Sequence, residues 1–110
     1  MARYDRGDVV LVYFPYRDEN NNLVVKVRPA VILSLEGDQE RIIIQVTSKN
    51  RSDKLRGLWV VKDSTDGREM GLRTDSFINI TYQITITLRD IIRKIGYCPL
   101  IDKIDEMLEE

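Results

Sequence analysis

The chain has 110 residues, 43% of them hydrophobic and 32% charged, with a net charge of −1, one cysteine and no histidine. Such a chain fits one hydrophobic core, so 1–110 reads as a single globular domain and not as a disordered segment. The missing histidine excludes histidine triads, histidine metal sites and two-histidine RNA hydrolysis, and the lone Cys98 excludes an intramolecular disulfide and makes a zinc cage untenable.

The opening "MARYDRGD" carries charge without an apolar stretch, so no secretory signal is read there. The longest apolar runs, such as "VVLVYF" and "PAVIL", are too short to cross a bilayer. The expectation is a cytoplasmic protein in a reducing compartment, with no membrane attachment.

"DVVLVYFPY" is β-branched and aromatic and meets Pro15, which predicts a first strand over about 8 to 14. "RDENNN" is a polar loop without a core face, expected to act as a mobile lid. "LVVKV" leads into "RPAVILSL", and "LEGDQE" supplies the next turn. The near-continuous apolarity of "RIIIQV" predicts a strand buried on both faces. After the long polar loop "TSKNRSDKLRG" come strands in "LWVV" and "SFINITYQITIT". The latter alternates cleanly, with Phe77, Asn79, Thr81, Gln83 and Thr85 on one side and Ile78, Ile80, Tyr82, Ile84 and Ile86 on the other. The one helix predicted lies over 99 to 109, where Leu100, Ile101, Ile104 and Leu108 form a stripe behind Pro99. Many short strands in so small a chain predict a mainly β protein, a closed or half-closed barrel with a terminal helix. Trp59 and Phe77 are expected to fill core or interface, and Cys98 to be a small buried residue.

Charge is uneven along the chain. Residues 102–110, "DKIDEMLEE", hold five acids and one base, which leaves the other 101 residues at +3. Residues 49–68 hold six bases against three acids, an ordinary solvated surface unless it lies beside a site.

Arg28 stands at the entrance of the apolar run "PAVIL". Pro29 drives Arg28 into extended geometry and belongs at a strand entrance or edge. A second polar cluster, "TSKNRS" at 47–52, follows directly where "IIIQV" ends. If the two strands pair antiparallel through "LEGDQE", residues nine or so back and forward from about 37 and 38 come opposite each other. That counting brings Arg28 and Thr47 to one end of the hairpin, beside Ser48, Lys49 and Arg51.

These stretches resemble the MazF/PemK (Kid) toxins of type II toxin–antitoxin systems. The matching segments are "RGDVVLVYFPY" (6–16), "KVRPAVILS" (26–34), "IIIQVTSK" (42–49), "GLRTDSFINI" (71–80) and "IIRKIG" (91–96), in that order. The resemblance implies an SH3-like, partly open β-barrel with short helices and a C-terminal helix, assembled as a homodimer. It implies a sequence-selective mRNA endoribonuclease that needs no metal or cofactor and leaves 2′,3′-cyclic phosphate and 5′-hydroxyl ends. Arg28 and Thr47 match the family's catalytic pair. Tyr16, Arg17, Lys26, Ser48, Lys49, Arg51, Asn79 and Thr81 are the implied contacts to single-stranded mRNA. The implied partner is an antitoxin with an acidic, disordered C-terminal segment, through which alone the toxin would meet DNA.

The chain also departs from the pattern. Asn79 and Thr81 stand where Kid-like members carry an arginine and its acidic partner, so the chemistry falls to Arg28 and Thr47. Asp75 and Ser76 match the family's "DS" and are read as capping or orienting the strand. Two other readings stay open: a catalytically weak copy that binds antitoxin and operator, and a CcdB-like protein that poisons a protein target. Against the second, the chain ends in "MLEE" and retains the "RP" and "TSK" motifs.

Overall fold

A computed structural model describes residues 3–110. Six strands form one antiparallel sheet in the order β4-β5-β3-β2-β1-β6, curled into a half-barrel. The strands are β1 (Asp8–Arg17), β2 (Leu23–Leu35), β3 (Glu40–Thr47), β4 (Gly57–Val60), β5 (Ser76–Thr87) and β6 (Ile91–Tyr97). Two α-helices, α1 (Thr65–Met70) and α2 (Ile101–Leu108), and a 3₁₀ turn at Leu88–Asp90 complete the described chain.

The apolar "RIIIQV" run is explained by two cores, one on each face of the sheet. Ile44 and Val46 join Val9, Val31, Ile78, Ile101 and Ile104 on one side, while Ile43 joins Val10, Val12, Ala30 and Ile32 on the other. Period-two alternation sends neighbouring residues to opposite faces, and both faces here are covered. Helix α2 buries Ile101 and Ile104 in the first core. It begins at Ile101, with Pro99 just outside it.

Several sequence expectations need correction. Strand β1 does not stop before Pro15; it runs to Arg17, with Pro15 opposite Val25. Pairing with β6 covers only Asp8 to Val12, so beyond that β1 has β2 alone beside it. A residue without an N–H is tolerated along such a half-paired stretch. The loop is therefore only Asp18–Asn22, a turn in which the Asp18 carboxylate accepts from the backbone N–H groups of Asn20 and Asn22, both at 2.9 Å.

Helix α1 was not foreseen, although its signals are local. Ser64 caps it by accepting from Gly67 N–H at 3.1 Å, and Gly71 ends it with φ of +74°. Strand β6 is likewise an addition. Of the two residues expected in core or interface, Phe77 is fully buried in the core, while Trp59 is 42% exposed on the edge strand β4. The clean alternation of β5 is also broken. Ile43 pairs with Ile84 and Gln45 with Asn79, so residues 80–83 bulge opposite the single residue Ile44.

One buried charge organises the N-terminal side. Arg41, 1% exposed, donates to the carbonyl oxygens of Arg3 (2.6 Å), Tyr4 (2.8 Å), Gly37 (3.2 Å) and Glu40 (2.8 Å). Four backbone acceptors replace the water that this guanidinium gives up. The contact ties the incoming chain to the β2–β3 turn.

Candidate functional site

Strands β2 and β3 pair with Ala30 opposite Gln45 and Val31 opposite Ile44. Continued two residues outward, that register sets Arg28 against Thr47. Arg28 Nη1 donates to Thr47 Oγ1 at 3.4 Å, a long but directed contact between half-buried side chains. Thr47 Oγ1 also accepts from the Lys49 backbone N–H at 3.3 Å. With two donors on its oxygen, the hydroxyl keeps its own proton to offer outward.

Both residues line a cleft of about 520 Å³. Lys26, Ser48 and Lys49, named from sequence, line it as well. Its apolar surface comes from Leu11, Pro29, Val46, Leu72 and Ile95. Three polar residues that sequence reasoning missed also line it: Arg73, Thr74 and Arg93. Arg73 and Thr74 follow α1, and the segment is pinned on both sides. The Asp75 carboxylate accepts from Lys62 N–H at 3.0 Å, and Ser76 Oγ donates to the Thr74 carbonyl at 2.9 Å. Asp75 and Ser76 thus orient the strand entrance, as read from sequence. Arg93 reaches the cleft from β6, opposite Leu11.

No carboxylate lines the cleft among the described residues, yet five cations do: Lys26, Arg28, Lys49, Arg73 and Arg93. The ion pairs among the described residues involve Arg6, Arg56 and Lys94 instead. In a chain of net charge −1, this is a concentrated positive surface, suited to a polyanion.

The other candidates sit elsewhere. Tyr16 and Arg17 border a second, shallower hollow beside the Asp18–Asn22 turn, joined to the cleft through Lys26. The Lys26 ammonium lies 4.8 Å from the Tyr16 ring centroid, within cation–π range. Arg51 is exposed on the 48–56 loop, and its carbonyl accepts from Lys54 and Leu55. Asn79 and Thr81 are not brought into the cleft. Asn79 Oδ1 accepts from Thr81 N–H at 2.9 Å, and Thr81 Oγ1 accepts from Arg56 N–H at 2.9 Å. The β5 bulge turns them toward the end of the basic loop.

Residues 5–109 match the family model of PemK-like, MazF-like toxins of type II toxin–antitoxin systems. The chain belongs to that family. The match spans nearly all of this PemK-like toxin, and the six-stranded half-barrel with its C-terminal helix agrees with it. Membership implies an antitoxin partner. No curated protein matches the toxin's sequence. Among its described residues no helix is long and apolar enough to cross a membrane, and no three acidic or thiol side chains gather as a metal-binding group.

Proposed function

We propose that this toxin is a sequence-selective mRNA endoribonuclease working without a metal or cofactor, with Arg28 and Thr47 at the scissile phosphate. The observation that carries the reading is the Arg28–Thr47 contact inside a cleft with five cations and no carboxylate.

RNA brings its own nucleophile. The 2′-oxygen forms a bond to phosphorus as the bond from phosphorus to the 5′-oxygen breaks; the 2′ proton departs and the 5′-oxygen takes one up. The products are a 2′,3′-cyclic phosphate and a 5′-hydroxyl. Negative charge grows on the nonbridging oxygens along the way. The planar fork of Arg28 suits two such oxygens, and Thr47 O–H can donate to a third position. Because β2 and β3 hold both groups in place beforehand, little reorganisation is needed as charge develops.

The reading extends to partners. Tyr16, Arg17, Lys26, Ser48, Lys49 and Arg51 would follow single-stranded mRNA outward from the cleft, with Tyr16 offering a face for a base. The cognate antitoxin would lay an acidic, disordered segment along the same cations and compete with RNA. DNA would be reached only through that antitoxin, in the cytoplasm. The toxin would act as a homodimer.

The test is product analysis on a defined mRNA fragment. Cyclic phosphate and 5′-hydroxyl ends, resistance of an all-deoxy strand, and indifference to a chelator are expected. Ends bearing a 5′-phosphate would overturn the mechanism.

A further inference from the structure

Arg93, Leu11 and Pro29 stand in a row across β6, β1 and β2. Adjacent strands lie about 4.8 Å apart, so the Arg93 backbone is about 10 Å from the β2 backbone that carries Arg28. Arg73 arrives from a third direction, on the segment after α1. Its base is fixed: a Cβ on Gly71 would lie 2.2 Å from the Ile95 carbonyl oxygen, so the two backbones are in contact. Neither arginine has a carboxylate partner among the described residues. Both are exposed, so their guanidinium groups reach solvent and ligand freely.

A single phosphate under Arg28 would leave these two charges unmatched and mutually repelling. Several phosphates in succession would match each of them. We propose that Arg73 and Arg93 are positioning residues that grip the RNA backbone on the side of the cleft away from Arg28 and Thr47. This rests on the reading of the cleft as an RNA site and adds its far wall and its polarity. Contacts of this kind go to phosphates, so they set affinity and register without reading bases.

The experiment uses the full chain as wild type, Arg73→Ala, Arg93→Ala, the double variant and the two Arg→Lys variants. A fluorescent, fully 2′-O-methylated RNA, which lacks the free nucleophile, is titrated at several salt concentrations in two unrelated sequences. Each Ala substitution is expected to lower the slope of log affinity against log salt by about 0.7, the single-strand contribution of one phosphate contact. The weakening should be the same in both sequences, and Lys should restore most of it. In single-turnover cleavage, half-saturation should shift far more than the plateau rate. If wild type binds and cuts RNA but both Ala variants keep its slope and half-saturation, the far wall is refuted and the RNA reading stands. Weakening confined to one sequence would refute it too, by making these residues base readers. If wild type neither binds nor cuts RNA, the reading of the cleft falls and this inference with it.

Discussion

Gly71 turns back against Ile95 so closely that any side chain at 71 would strike the Ile95 carbonyl, and its φ of +74° is one that L side chains rarely adopt. Both residues line the cleft, and Arg73 follows two positions later. The end of α1 thereby becomes part of the site: the glycine that stops the helix also sets where the far wall begins.

Gly71→Ala is expected to cost about 1–3 kcal/mol from backbone strain alone, with the steric clash added to it. Thermal unfolding followed by circular dichroism should show a lowered Tm, and RNA affinity should fall in the folded fraction. Affinity unchanged in a folded variant would separate Gly71 from the cleft.

Arg41 is the buried guanidinium of this protein, and its role is architectural. Arg41→Met should leave four backbone carbonyls without their donor and cost about 3 kcal/mol or more. In a chain of this size that is a fall in Tm on the order of 10 °C. Arg41→Lys should recover little, because an ammonium cannot reach four spread acceptors. A Tm within a few degrees of wild type would show that the clamp contributes nothing.

How much of this was legible beforehand follows from kinds of signal. The Arg28–Thr47 meeting could be counted from the sequence because a hairpin with a short turn fixes its register, and the bulge between Ile32 and Ser34 is absorbed before Ala30 meets Gln45. The barrel and the terminal helix were legible in β-branched runs and one apolar stripe. Arg73 and Arg93 were not, since Arg93 is placed by the pairing of β6 with β1 and Arg73 by the packing of the end of α1 against β6. The Ser64 and Gly71 caps could have revealed α1, but six residues with Gly67 inside give almost no periodicity. Asn79 and Thr81 were placed by family position, which carries no information about a bulge in β5. The four-residue bulge opposite Ile44 redirects them to Arg56.

Cys98 is fully buried, and burial pushes its thiol up to about 11 from an ordinary value of 9.0. It should resist alkylation at pH 8 in the native protein and react promptly once unfolded. The folded form holds its proton where the unfolded form has begun to release it. This contribution to stability is therefore unchanged below pH 9 and declines as pH rises from about 9 to about 11. Rapid native labelling at pH 8 would contradict the buried placement.

Tyr13 stands opposite Val27 and Pro15 opposite Val25 on one face of the β1–β2 ribbon, all exposed, with Leu23 beyond them. Val27 also lines the cleft. A contiguous apolar strip of this kind is suited to a second copy of the chain, and stable homodimers bury on the order of 2,000 Å² or more. Light scattering should show a dimer at micromolar concentration, and Tyr13→Ser with Val25→Glu should shift it to monomer. A wild-type monomer under those conditions would end the dimer proposal.

The measurement that bears most directly on the central claim is single-turnover cleavage of an unstructured mRNA fragment by wild type, Arg28→Ala and Arg28→Lys. Removing a preorganised donor to developing charge typically lowers the rate about 10²–10³-fold. Arg28→Ala should show that loss with its circular dichroism spectrum intact, and Arg28→Lys should restore little, because a point charge does not reproduce the planar fork. A folded Arg28→Ala protein that cuts RNA as fast as wild type would contradict the account.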